Sequence, residues 1–272
     1  MKKIKIFCTT IKYYKIMDKL PSYITPVGLG SANYPNNWAC EKNGSNIMHL
    51  NRFYAEFTGF YYIKNNNFFD DLKDNDLIGN CHNRVIWLNS LLNKKSKIIF
   101  SSLYKNFLTE ENALNYSGDV TQVQPITFKN KNLFEDWKEV HKCNLLKDSL
   151  DLLEKKVAIG FEEHLKGKEI FPHNMFITNK TNFNEYYDII MPWLDKCYAI
   201  CKKENLCFGY QSRIPAFLAE RFTSFWFSRF KKRRLLSYAR LGKFHLSNKI
   251  NKFINSAKLP FTFYQYPTIH RY

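Results

Sequence analysis

What the chain is short of narrows it first. No stretch approaches the roughly 18 to 20 consecutive apolar residues that span a bilayer. The opening Met1-Lys-Lys-Ile-Lys-Ile-Phe-Cys-Thr-Thr10 has too short an apolar core for a secretory signal. The expectation is a cytoplasmic protein. Its seven cysteines are odd in number and lack paired metal-type spacing, which fits a reducing compartment better than a disulfide framework. Cys197 and Cys201 share a helix face and read as small core residues. Pro26-Val-Gly-Leu-Gly30 lacks the third glycine of a dinucleotide fingerprint and the Lys-Ser/Thr of a P-loop, so both motifs are rejected. Acidic residues are in deficit, 24 against 41 Lys and Arg, for a formal net charge of +17. That excess points to nucleic acid, an anionic membrane or phosphorylated ligands. No recognised RNA- or DNA-binding module accompanies it.

What is present suffices for one large α/β domain or a domain with an appendage: 272 residues, 45% of them hydrophobic. Ile4 to Thr10 reads as a first strand ending in small polar residues, the usual start of a nucleotide-binding α/β unit. Leu50 to Lys64 has helical periodicity, with Phe53, Phe57, Phe60 and Tyr61 on one stripe and Glu56 beside it. A carboxylate next to a buried face needs a partner, which marks Glu56 as a candidate. Asp76-Leu-Ile-Gly-Asn-Cys-His82-Asn-Arg84-Val is a buried strand breaking into polar residues. His82 and Arg84 then sit at a strand's carboxyl end, where open α/β sheets bind ligands, and both suit a diphosphate. A helix is expected over Trp87 to Leu92, a strand at Lys97 to Phe100, and an irregular stretch between Ser101 and Asn132. Helices follow at Leu133 to Lys156 and Asn184 to Cys201, with a strand entry at Phe171-Pro-His-Asn-Met-Phe-Ile-Thr178 between them. Arg213 begins the last strong helix. The alternation argues for an α/β sheet with flanking helices and a helical complement.

Four ordered motifs carry a resemblance. Asp76-Leu-Ile-Gly, two residues, then His82-Asn-Arg84 is the first; Tyr54-Ala-Glu56-Phe-Thr58 with Tyr61 and Asn65 is the second. Asn174-Met-Phe-Ile177 and Phe217-Leu-Ala-Glu220-Arg221 complete the set. Together they resemble the capsular polysaccharide synthesis glycosyltransferases, a family once catalogued as a domain of unknown function. Asn83, Val85 and Ala216 depart from its pattern, removing a ring and a cation beside His82. The resemblance implies a GT-A-like, Rossmann-type nucleotide-sugar-binding sheet over residues 1–226 and a helical, basic, aromatic C-terminal extension over 227–272. It implies transfer of a sugar from a nucleotide diphosphate, expected to be UDP-linked, onto a glycan acceptor expected to be lipid-linked.

Under that resemblance Thr9, Thr10, Glu56, Tyr61, His82, Arg84 and Asn174 are expected to bind donor, and His141 and Arg221 the acceptor. An inverting enzyme needs a base within reach of the acceptor hydroxyl; Glu220 is chosen over Glu56, His141 and Asp148, with His82 as its catalytic companion. Asp74-Asn75-Asp76 matches an Asp-x-Asp metal motif in letters but precedes its strand, so no metal site is assigned there. No cofactor is expected, with Mn or Mg left open. Phe225 to Arg240 interleaves rings with Arg229, Lys231, Lys232, Arg233, Arg234 and Arg240. That pattern suggests a segment on an anionic inner-membrane face, which makes the expected location cytoplasmic and peripheral. A nucleic-acid-binding protein and a non-catalytic scaffold of a glycan assembly complex are the alternatives; nucleic acid is not the expected partner.

Overall fold

The computed structural model describes residues 2–82, 85–89 and 107–240. Arg84, the strand expected at Lys97 to Phe100 and the chain beyond residue 240 lie outside them. In chain order the elements are β1 (Ile4–Thr10), β2 (Ile24–Gly28), β3 (Ala39–Cys40), α1 (Asn51–Tyr54), α2 (Phe57–Asn65), β4 (Leu77–His82), β5 (Val85–Trp87), α3 (Glu110–Leu114), β6 (Val120–Val123) and β7 (Ile126–Thr127). They continue with α4 (Leu133–His141), α5 (Leu145–Asp148), α6 (Lys155–Leu165), β8 (Glu169–Ile170), β9 (Phe176–Asn179), α7 (Lys180–Lys203), α8 (Ile214–Ser228), β10 (Arg233–Leu236) and β11 (Tyr238–Arg240).

One mixed sheet runs in the order β10-β6-β9-β4-β1-β2-β3, with β5 and β11 paired beside the end of β4. The pairs β1–β2, β2–β3, β1–β4 and β6–β10 are parallel, and β9 is antiparallel to both β4 and β6. Alternating side chains of β1 feed two cores. Phe7 joins Val27, Ile78 and the helices α2, α7 and α8, while Ile6 and Cys8 join Ile24, Cys81 and Trp87 on the other face. This is an α/β sheet with flanking helices, and a strand buried on both faces explains the near-continuous apolar run at Leu77 to Cys81.

Several elements differ from expectation. The helix expected over Leu50 to Lys64 is broken at Ala55, whose φ of 50° and ψ of −125° are not helical. Trp87 closes a strand instead of opening a helix, and Leu88 bridges to Phe107. The stretch expected to be irregular before Asn132 contains α3, β6 and β7; β6 lies inside the sheet with Thr121 and Gln122 buried. Four residues with two buried polar side chains give no alternation to read. The helix expected over Leu133 to Lys156 ends at Lys142, which takes a left-handed φ of 53°.

The segment 225–240 changes most. Phe225, Trp226 and Phe227 lie in the core, and Arg233–Leu236 is a strand pairing with β6. It is therefore not an amphipathic helix with rings held out for lipid, and residues 233–240 belong to the same sheet as β1. No described helix is long and apolar enough to cross a membrane.

Candidate active site

Topology alone brings the site together. Because β9 runs antiparallel to β4, the chain enters β9 beside the point where β4 ends, and His173 and Asn174 arrive next to His82. On the other side, α2 lies close against β1: a Cβ on Gly59 would come within 2.9 Å of the Thr9 Cγ2. The break at Ala55 then turns Glu56, at the amino end of α2, toward the same point. One face of α8 closes the space with Ala216, Phe217 and Glu220, and Arg213, which caps the amino end of the helix, continues that face at i, i+3, i+4 and i+7 spacing. The cleft, open to solvent on one side, has a volume of about 510 Å³.

The dipeptide His173-Asn174 is its hub. Both residues hold positive φ, 72° and 51°, a conformation that costs a non-glycine residue of order 1 kcal/mol or more. In exchange, four side chains converge on them. The His173 N–H donates to Glu220 Oε1 at 2.6 Å, and the Asn174 Nδ2 donates to Glu56 Oε1 at 2.6 Å. Asn80 Nδ2 donates to the Asn174 carbonyl at 2.6 Å, while its Oδ1 accepts from Phe176 N. His82 Nε2 contacts the His173 carbonyl and lies 3.7 Å from Glu56 Oε1. A carbonyl only accepts, so Nε2 is the donor in that contact.

Glu220 is half-buried, and desolvation holds its carboxyl above the usual range. The nearby Glu56 adds to that rise, whereas the His173 N–H, Arg221 and His82 oppose it. A carboxylate destabilised in this way is a stronger base than a solvated one. Thr10 folds the chain after β1 by donating from Oγ1 to the Lys12 carbonyl at 2.5 Å, and that turn delivers Lys12 to the cleft.

Of the residues expected from sequence, Thr9, Thr10, Glu56, His82, Asn174 and Glu220 all line the cleft. Three do not. Tyr61 follows the phase of α2 away from the cleft and packs half-buried against the core. His141 is buried between the rings of Trp137 and Phe217, with Nδ1 bonded to Gln211 Oε1 at 2.8 Å. Arg221 is buried in an ion pair with Asp136 at 2.8 Å and lies over Trp137. Asp148 is an exposed residue of α5, away from the cleft. Asp76 sits at the amino end of β4, where its carboxylate accepts from the backbone N–H groups of Lys3 and Lys73, both at 2.8 Å.

Sequence reasoning missed Lys12, Asn80, His173, Tyr210 and Arg213. His173 was visible as half of a polar pair before an apolar run. Lys12 and Arg213 were single cations among 41 Lys and Arg, with nothing in their spacing to set them apart.

Comparisons with known proteins agree with this architecture. A solved structure titled "WbbM bifunctional glycosytransferase apo structure" matches 89% of this chain with a TM-score of 0.70 at 18% identity. The match spans 46% of that protein's chain, so this chain corresponds to about half of its length, and the likeness is one of fold. No curated protein matches. The family described as "Domain of unknown function (DUF4422)" matches residues 5–232, most of the chain from β1 to the last helix, and the protein belongs to that family.

Proposed function

We propose that the chain is a glycosyltransferase that moves a sugar from a nucleoside-diphosphate donor, UDP-linked, to a hydroxyl of a lipid-carried surface glycan of the capsular kind. The observation that carries this reading is the pair of carboxylates, Glu56 and Glu220, held by adjacent residues at the carboxyl edge of β1 and β4 and facing His82 and Lys12. The fold likeness to a glycosyltransferase supports it.

In the proposed reaction, the acceptor hydroxyl oxygen attacks the anomeric carbon and its proton passes to Glu220. The bond from that carbon to the diphosphate breaks, and the diphosphate leaves with the electron pair. Lys12 and His82, with Arg84 two residues further along, meet the charge that develops on it. Glu56 fixes Asn174 and lies 3.7 Å from His82 Nε2, which keeps both side chains beside the departing phosphate. The exposed cations Lys231, Lys232 and Arg233 would hold the enzyme near an anionic membrane carrying the acceptor.

The test is Glu220→Gln. Gln still accepts the His173 N–H but cannot take a proton, so turnover should fall at least about a hundredfold. Binding of UDP, read as thermal stabilisation, should survive. Near-normal turnover would remove Glu220 from the mechanism. The same substitution should leave the protein as stable or more so at neutral pH, because folding disfavours the Glu220 charge.

A further inference from the structure

Exposed apolar side chains gather at the mouth of this cleft. Ile11 and Tyr210 are 56% and 49% exposed and both line it, and Phe208, 65% exposed, lies two residues before Tyr210. Water-facing rings beside a polar cleft are costly unless something covers them. The two walls differ in kind. The β1 side, with Thr9, Thr10 and Lys12, is polar and follows the strand edge that suits a diphosphate. The opposite wall is aromatic: the rings of Tyr210 and Phe217 lie 5.2 Å apart at 35°, and the Arg213 guanidinium lies 5.7 Å from the Phe217 centroid. Among the described residues Arg213 makes no salt bridge, so its donors are free to turn outward.

That wall is continuous with the proposed base. Glu220 and Phe217 on α8 and Arg213 at its amino-terminal cap lie along one stripe and span about 10 Å of helix axis, room for roughly two sugar rings. Moving outward, the stripe runs from a half-buried carboxylate through a half-buried ring to an exposed cation. Tyr210 lies close enough to feel the Glu220 charge, which helps raise its hydroxyl pKa after burial. A ligand reaching Glu220 along α8 therefore slides over Tyr210 and Phe217. A sugar ring suits this surface, since its C–H face lies on aromatic rings while its hydroxyls stay in water, and a guanidinium at the rim can pair with a carboxylate.

We infer that Tyr210, Phe217 and Arg213 form the acceptor subsite: a sugar ring stacks on Tyr210 and Phe217, and Arg213 selects for a carboxylate on it. The inference rests on the transferase reading and assigns that enzyme's second substrate to the α8 wall.

The probes are methyl glycosides, neutral hexosides and the matching uronosides, followed by saturation-transfer NMR on the full chain with and without UDP. The wild-type protein should bind the glycosides through their C–H faces and favour the uronosides. Tyr210→Ala should weaken binding about tenfold, the worth of one good ring contact, and Tyr210→Phe should restore it. Arg213→Gln should abolish the uronoside preference and keep the neutral hexosides. UDP-induced thermal stabilisation should be unchanged in Tyr210→Ala. Glycoside binding indifferent to Tyr210→Ala, or none by the wild-type protein, overturns the subsite. Loss of UDP binding in Tyr210→Ala also overturns it, because the wall would then belong to the donor's base. If no nucleotide stabilises the wild-type protein, the transferase reading fails by itself, and the arm without UDP still decides the sugar-binding wall.

Discussion

His82 and His141 are both expected from sequence to meet substrate, yet their surroundings give them opposite uses. His82 keeps Nε2 on a backbone carbonyl and lines the cleft, whereas His141 is wedged between two rings, their centroids 4.1 and 5.0 Å away. Burial pushes the His141 pKa down to about 4, with Arg221 adding to the fall and Gln211 and Asp136 opposing it. His164 is likewise held down to about 4, mainly by burial. In both cases the folded state binds the proton less readily than the unfolded chain, whose histidines titrate near 6.5. Their contribution to stability is therefore complete above about pH 6.5 and is lost as pH falls toward 4, by on the order of 3 kcal/mol for the well-buried His141. Denaturant titrations between pH 7.5 and 4.5 should show stability dropping across that window. His141→Asn, which keeps a donor near Gln211 but cannot titrate, should flatten the drop; an unchanged slope would assign it to other groups.

The break between α1 and α2 shows at the scale of elements what sequence patterning can and cannot deliver. Phe53, Phe57, Phe60 and Tyr61 keep helical spacing across the break, so periodicity reads through Ala55 as one helix. What interrupts it is tertiary: Glu56 bonds Asn174 Nδ2, 118 residues away. Local propensity yields where a functional group must be aimed, and such conflicts collect at sites. Ala55 therefore holds a φ that suits glycine, and Ala55→Gly should relieve more strain than it costs in unfolded-chain entropy, a gain of about 1 kcal/mol. Chemical denaturation checks this, and a loss of stability would mean that Ala55 is not strained. The strands β1 and β4 and the long helices α7 and α8 were legible because two-sided burial and sustained 3.6-residue periods are local signals. The strands β6 and β10 were not, since their reason for being strands lies in distant partners: β6 pairs with β9 on one side, and on the other Val120 to Val123 pairs residue for residue with Arg233 to Leu236. Six cleft residues were reachable by matching strand ends and motifs. The hub at His173 was missed because its role rests on its main-chain N–H and C=O, which every residue possesses.

For the molecule as a whole, the charge of +17 has to be accounted for by surface, and the segment after α8 is where sequence places it most densely. Its rings do not accompany it outward. Phe225, Trp226 and Phe227 are core, and Arg229 is stacked on Trp226 with its guanidinium 3.5 Å from the ring centroid. Arg234 is also committed: Nε bonds Thr121 Oγ1 at 3.1 Å and Nη1 the Asn112 carbonyl at 2.7 Å, tying β10 to β6 and α3. Among the described side chains of this segment Arg229, Lys231, Lys232 and Arg233 are exposed, and of these the two lysines make no ring contact or ion pair in the structure. Among the described residues, the proposed attraction to anionic lipid is then electrostatic without an apolar anchor, worth roughly 1 kcal/mol per cation, and so weak, additive and released by salt. Lys231→Ser with Lys232→Ser should weaken sedimentation with phosphatidylserine vesicles by about 30-fold at low salt, with no change in thermal stability. Substituting Arg234 would instead loosen the sheet and cannot serve as the probe. Neutral vesicles should not bind at any salt concentration. Undiminished binding of the double variant to anionic vesicles, or equal binding to neutral ones, would separate this surface from any membrane role and turn attention to the cations lining the cleft.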